Sequence, residues 1–325
     1  MILVTTILLV AGFYVGWNIG ANDAANCIGT SVGSGILNYK RAILLVAIFV
    51  VLGAVLQGHQ VMKTIGKGII QARLPDLAIF IAMLSAGIFV TLATFFKIPV
   101  STSESIIGSV LGVGIGIFGF QAEYIKFTVL KKILLAWILN PVLTGGLSFI
   151  IYAILIYFLR RTEKITLWNR TISLVVILSA CYVAYSLGAN TVGNAMGPLL
   201  NKYPDKGLWL ALFGAAALAV GAISFRGGVV DTVGKNITPL DLPGAFAAQF
   251  AAAFGVHLFS MLGIPVSTSQ AIVGAVAGVG LVKGIRAVNV RQMIRIAVGW
   301  VLTPTCAAGF SYLLYRFLSS ILINV

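Results

Sequence analysis

The chain has 325 residues, of which 59% are hydrophobic and only 9% charged. This excludes an ordinary soluble domain, in which about a quarter of residues carry charge. A net charge of +14 would suit nucleic acid if the basic residues formed a patch, but they lie singly or in pairs along the connections, which suits anchoring at anionic lipid headgroups.

The first apolar run, residues 2–19, has no Lys or Arg before it and continues into Gly20-Ala21-Asn22-Asp23 rather than a small-residue cleavage site. It therefore reads as a membrane helix and not as a signal peptide. A second run, 41–58, leads to Thr64-Ile65-Gly66-Lys67-Gly68-Ile69, whose mixed polarity places it at the membrane interface. A third, 76–96, stops at Pro99, which biases Val100 away from helical geometry. Ser101-x-x-Glu104 then matches a capping box, so a short glycine-rich helix starts there and runs to about 120. A long helix over 133–159, interrupted by Pro141, precedes the charged stretch Arg160-Arg161-Thr162-Glu163-Lys164.

The same order then returns. Gly188-Ala189-Asn190-Thr191-Val192-Gly193-Asn194 follows Gly20-Ala21-Asn22-Asp23-Ala24-Ala25-Asn26 by 168 positions, and Thr232-Val233-Gly234-Lys235-Asn236-Ile237 follows Thr64–Ile69 by the same interval. Ile264-Pro265-Val266-Ser267-Thr268-Ser269-Gln270 repeats Ile98–Glu104, and Trp300-Val301-Leu302-Thr303-Pro304 repeats Trp137–Pro141. Apolar runs at 171–187, 208–225, 243–262, 270–282 and 294–315 complete the second set. The chain thus divides into two repeats, 1–165 and 166–325. An odd number of crossings in each would set the second upside down relative to the first. The expected fold is all-α and polytopic, with two inverted-topology repeats, broken or re-entrant helices, and about ten to twelve membrane segments.

Of the eight acidic residues, Asp23 and Glu104 lie in or beside the membrane-embedded motifs. Ionisable groups at that depth are costly and point to function. Asp23, with Asn22 and Asn26 and carbonyls freed by an unwound backbone, would make a set of hard oxygen ligands suited to a small cation. A polar cap or interhelical hydrogen bond is the alternative. The hydroxyls of Ser101, Thr102, Ser103, Ser267, Thr268 and Ser269 sit where two helix N-termini begin, a natural anion site; well-capped helices are the plainer reading. His59 and His257 have no metal-ligand spacing, Lys67 and Lys235 belong to no phosphate loop, and no His or Lys base lies near the serines within their motif. The three cysteines read as packing residues, and Arg226 as an interfacial charge.

The motifs at 20–26 and 188–194, with Pro-Val-Ser-Thr-Ser at 99–103 and 265–269, resemble those of the inorganic phosphate transporter family, cation-coupled phosphate permeases with related sulfate permeases. The resemblance spans essentially the whole chain. It implies phosphate at Ser101, Thr102, Ser103, Ser105, Ser267, Thr268 and Ser269. It implies sodium at Ala21, Asn22, Asp23, Asn26, Ser101, Glu104, Ala189, Asn190, Asn194, Ser267 and Gln270. Phosphate import by sodium symport and alternating access is the expected activity, with no enzyme chemistry, no cofactor beyond sodium as coupling ion, and no nucleic-acid partner. The expected location is the lipid bilayer of a prokaryotic cell (inner) membrane, with a homodimer left open. Many members look acidic where this chain has Thr191 and Gln270, and the large hydrophilic loop of animal members is absent. Proton coupling or sulfate as cargo on the same fold is the nearest alternative, an anion channel the next.

Overall fold

A computed structural model describes residues 2–33, 36–95, 100–161, 165–224, 238, 240–284 and 287–323. The regular structure among them is helical apart from one isolated antiparallel bridge, Ile70 to Ile125. In chain order the helices are α1 (Ile2–Gly33), α2 (Tyr39–Gln57), α3 (His59–Lys63), α4 (Asp76–Phe95), α5 (Thr102–Phe118) and α6 (Phe127–Leu159). Then come α7 (Ile165–Lys202), α8 (Gly207–Ser224), α9 (Leu242–Met261), α10 (Thr268–Lys283) and α11 (Val290–Ile323). Eight helices are long and apolar enough to cross a bilayer, and α5 and α10 are shorter apolar helices. Among the described residues, every apolar run expected from the sequence overlaps one of these helices. The protein is an all-helical integral membrane protein.

Local chemistry sets the ends. Asn38 caps α2 by accepting from the Arg41 amide at 2.9 Å, an interaction worth about 1 kcal/mol. Ser101 and Ser267 are extended residues whose hydroxyls accept the amides of Glu104 and Gln270, so α5 and α10 start where the capping boxes predict. α5 stops at Gly119, whose φ of 66° lies in the left-handed region that glycine tolerates.

The two halves interlock. α4 lies alongside α5 as a helical hairpin, and α9 lies alongside α10 in the same way. Each short helix then packs on the long proline-bearing helix of the other half, α5 on α11 and α10 on α6. Glycine makes this approach close enough. A Cβ on Gly108 would overlap the carbonyl of Pro304, and one on Gly274 would overlap the carbonyl of Pro141. Without a hydrophobic driving force between helices in lipid, such backbone proximity is a main source of cohesion.

One expectation needs correction. The Gly-Ala-Asn motifs do not unwind: α1 is helical through residues 20–26 and α7 through 188–194. Their glycines serve packing instead, Gly20 against the Leu218 carbonyl and Gly188 against that of Val50. The Thr64–Gly68 segment forms a π turn with Ile65 and Gly66 buried and Lys67 exposed. It is held by Asn201, whose Nδ2 donates to Gly66 O at 2.8 Å and whose Oδ1 accepts from the Leu74 amide at 2.9 Å. The matching segment 232–237, Pro99 and Arg226 lie outside the described residues. Cys27 and Cys181 are buried as packing residues should be, whereas Cys306 is exposed.

Candidate functional site

The hairpin tips meet. Ser103 Oγ donates to Val266 O at 2.8 Å, and its counterpart Ser269 Oγ donates to Val100 O at 3.1 Å. Because Ser103 and Ser269 occupy the same place in the repeated motif, as do Val100 and Val266, these reciprocal bonds relate the tips by a local approximate two-fold. The N-termini of α5 and α10 therefore sit together, with Ser101, Ser103, Ser267 and Ser269 each at most 1% exposed. Each helix start carries roughly half a positive charge and amides without helical partners. Two such ends placed together away from water require negative charge nearby.

The protein supplies part of it. Asp23, fully buried on α1, accepts the Thr102 hydroxyl at 3.0 Å, and Thr268 lies near it. One carboxylate thus binds the first residue of one short helix and lies near that of the other. Glu104, also fully buried, accepts a 2.6 Å bond from Gln270 Nε2, so the third residues of the two caps meet directly. In α7, Asn190 grips Val266 at both backbone atoms, donating to its carbonyl at 2.6 Å and accepting its amide at 3.2 Å. Asn194 Nδ2 donates to Ser103 Oγ at 2.8 Å.

Most of the expected residues are thus brought to one place. Asn22 is fully buried beside Asp23 on α1. Ser105 lies one turn in, its hydroxyl donating to Ser101 O at 3.0 Å. Ala21 and Ala189 are buried within continuous helix, so their carbonyls are not freed by unwinding. The side chain of Asn26 lies outside the described residues. Thr191, where the first repeat has Asp23, donates to Leu187 O on its own helix at 2.8 Å. His257 is packed between Tyr182 and Gln57, with bonds of 2.8 and 2.7 Å at its two ring nitrogens.

Chemically the tip is a cluster of donors beside unsatisfied acceptors. Glu104 Oε2, Gln270 Oε1 and Asn194 Oδ1 are buried without a hydrogen-bond donor. Buried oxygens of this kind suit a hard cation. The hydroxyls of Thr102, Ser103, Ser105 and Ser269, by contrast, donate within the protein, so an oxyanion bound by them must exchange with those bonds. Among the described residues no group of three His, Cys, Asp or Glu side chains gathers as a metal centre.

Sequence reasoning passed over the supports of the second tip. On α6, Trp137 Nε1 donates to Pro265 O at 3.1 Å and Asn140 Nδ2 to Ser267 O at 3.1 Å. Thr144 and Ser148 follow with bonds to Ala271 O at 2.9 Å and Ala275 O at 2.7 Å. The signal was a polar stripe at helical spacing, 137, 140, 144 and 148, on an otherwise apolar helix.

The profile of the phosphate transporter family matches residues 19–172 and 160–311. The chain belongs to the phosphate transporter family. Similar proteins include one of Thermococcus kodakarensis that goes by the name phosphate permease, 30% identical over 96% of this chain and 97% of that protein. Another of that name from Haemophilus influenzae is 28% identical, covering 97% and 96%. A solved structure, "The sodium-dependent phosphate transporter", superposes with a TM-score of 0.90 at 27% identity, covering 98% of this chain and 99% of that one. The family and the fold are those of a transporter rather than an enzyme.

Proposed function

We propose that this phosphate transporter family member imports inorganic phosphate by sodium symport, with alternating access around the joined hairpin tips. The observation that carries the reading is the pair of buried helix N-termini brought together by the bonds Ser103 to Val266 and Ser269 to Val100. Phosphate is held by the hydroxyls of Ser101, Thr102, Ser103, Ser105, Ser267, Thr268 and Ser269, with the helix-end amides replacing its hydration. Sodium is held by Asn22, Asp23, Glu104, Asn190, Asn194 and Gln270, and by Asn26, Ser101 and Ser267. The buried acceptors Glu104 Oε2, Asn194 Oδ1 and Gln270 Oε1 support that part of the assignment. A cation also offsets the repulsion between the anion and the carboxylates of Asp23 and Glu104.

The halves 1–165 and 166–325 act as inverted repeats. If the α4–α5 hairpin re-enters, α1, α2 and α6 remain as three crossings, an odd number, and the second half follows suit. A site between two such repeats is reached from either face in turn. The resulting location is the cell membrane of a prokaryote, with phosphate, sodium and lipid as partners.

The test is uptake of labelled phosphate into proteoliposomes with sodium and pH gradients imposed separately. Uptake driven by sodium at uniform pH is expected. Uptake driven by the pH gradient alone overturns sodium coupling, and suppression by equimolar unlabelled sulfate overturns phosphate selectivity.

A further inference from the structure

A small cavity of about 10 Å³ between α7, α9 and α10 touches the second tip at Thr268. It has room for about one water molecule. Five of its seven lining residues recur in the first repeat. Val183, Ala252, Val256, Thr268 and Ile272 answer to Val15, Ala86, Val90, Thr102 and Ile106, at intervals of 168 or 166 positions. The two that differ are Ser186, where the first repeat has Asn18, and Ala253, where it has Gly87.

Those two differences decide how tightly each seam closes. On the first, Asn18 Oδ1 reaches across from α1 and accepts the Thr91 hydroxyl of α4 at 2.8 Å, while its Nδ2 donates to Tyr14 O at 2.9 Å. The Tyr14 ring lies so close over Gly87 that a Cβ there would overlap it, and the Tyr14 and Thr91 hydroxyls are bonded at 2.6 Å. On the second, Ser186 is shorter and its hydroxyl donates to Tyr182 O on its own helix at 2.8 Å, so it does not cross to α9. Ala253 carries the Cβ that Gly87 lacks, so Tyr182 cannot close this seam as Tyr14 closes the other. The exposure of the tips follows the same pattern. Thr268 and Thr102 are 7% and 4% exposed, whereas Ser101, Ser103, Ser105, Ser267 and Ser269 are at most 1% exposed.

We propose that the seam of α7, α9 and α10 is the access route to the joined tips from one membrane face, and the seam of α1, α4 and α5 the route from the other. In this structure Asn18 and Tyr14 seal the first-repeat route, and Ser186 leaves the inner end of the second-repeat route unfilled. Phosphate is larger than the cavity, so its passage takes a parting of α9 from α7 that the small side chain of Ser186 permits. That the routes open to opposite faces rests on the transport reading above, in which the repeats are inverted.

The test uses the full-length protein with Cys27, Cys181 and Cys306 replaced by Ala, in proteoliposomes of one orientation. A single cysteine is introduced as Val256→Cys or Val90→Cys, and a membrane-impermeant methanethiosulfonate is applied to either face. Val256→Cys should react from one face and Val90→Cys from the other, each at least about tenfold faster than from the opposite face. Ser186→Asn, which places the first repeat's seal in the second, should slow the Val256→Cys reaction and lower the maximal rate of phosphate uptake at least about tenfold. Ala253→Val fills the same cavity from α9 and should do likewise, which provides a second reading if Ser186→Asn is not inserted. Ser186→Ala removes the hydroxyl but keeps the space, and should leave uptake within about threefold of the parent. Reaction of both cysteines from the same face, reaction at neither, or parental uptake by the filled variants overturns the proposal. So does an equal loss in Ser186→Ala, which marks the hydroxyl as a structural bond. The thiol reactions need no phosphate, so they decide the routes even if the parent takes up none, a result that sinks the phosphate reading alone.

Discussion

The two hairpin tips share a backbone plan but divide the work unequally. The first gathers charge: Asp23 takes the Thr102 hydroxyl, and Glu104 is the third residue of its own cap. At the matching places the second has Thr191, bonded back to its own helix, and Gln270, a neutral donor to Glu104. Mechanical support runs the other way. α6 holds the second short helix through Asn140, Thr144 and Ser148, whereas at the matching place on α11 Thr303 donates to Gly299 O on its own helix. Ser311, answering to Ser148, keeps its bond across, to Ser109 O at 3.0 Å. A duplicated scaffold has thus placed its ionisable chemistry on one copy and much of its fixed bonding on the other, because neutral residues can be locked by hydrogen bonds without the cost of burying charge.

Removing the charge is the strongest way to break this contrast. Asp23→Asn should lower sodium-driven phosphate uptake by about a hundredfold or more, since an intramembrane carboxylate bonded to a helix start has no neutral equivalent. Thr191→Ala, at the matching place, should leave uptake within about twofold of the parent. Equal losses in properly inserted protein would show that the tips are functionally alike. Restoring symmetry is the next test. Gln270→Glu sets a second carboxylate within hydrogen-bond distance of Glu104, and like charges so close cannot both remain ionised without a cation between them. Sodium-activation curves for this variant should be steeper and shifted to higher sodium, whereas Glu104→Gln should flatten them.

Smaller effects sharpen the comparison. Thr268→Ala removes one hydroxyl donor, and should raise the phosphate concentration for half-maximal uptake about tenfold with less change in maximal rate. Asn140→Ala removes a tether to the second tip, and thermal unfolding in detergent should fall by the equivalent of about 1–3 kcal/mol. Thr303→Ala, which breaks only a bond within its own helix, should cost about 0.5 kcal/mol.

Reading the sequence located both tips correctly because the capping chemistry is local: a proline, a serine and a side chain three residues on determine where a helix starts. It misread the Gly-Ala-Asn motifs as breaks. Glycine in a membrane helix signals either an unwound turn or a close neighbour, and only the carbonyls of Leu218 and Val50 distinguish the two. It also missed the supports on α6, because Trp137 and Asn140 stood out as a repeated motif but their partners, Pro265 and Ser267, are more than a hundred residues away.

By itself, then, the sequence determined that this is a helical membrane protein whose motifs recur in the same order in its two halves, that each half contains a serine-capped helix start, and that only the first carries Asp and Glu there. These properties follow from composition, periodicity and short-range hydrogen bonding. The tertiary structure decided that the two starts meet, that Glu104 is bonded to Gln270, and that each short helix rests on the other half. Such pairings depend on backbones approaching through glycine and on partners far apart in the chain, and nothing in either segment alone specifies them.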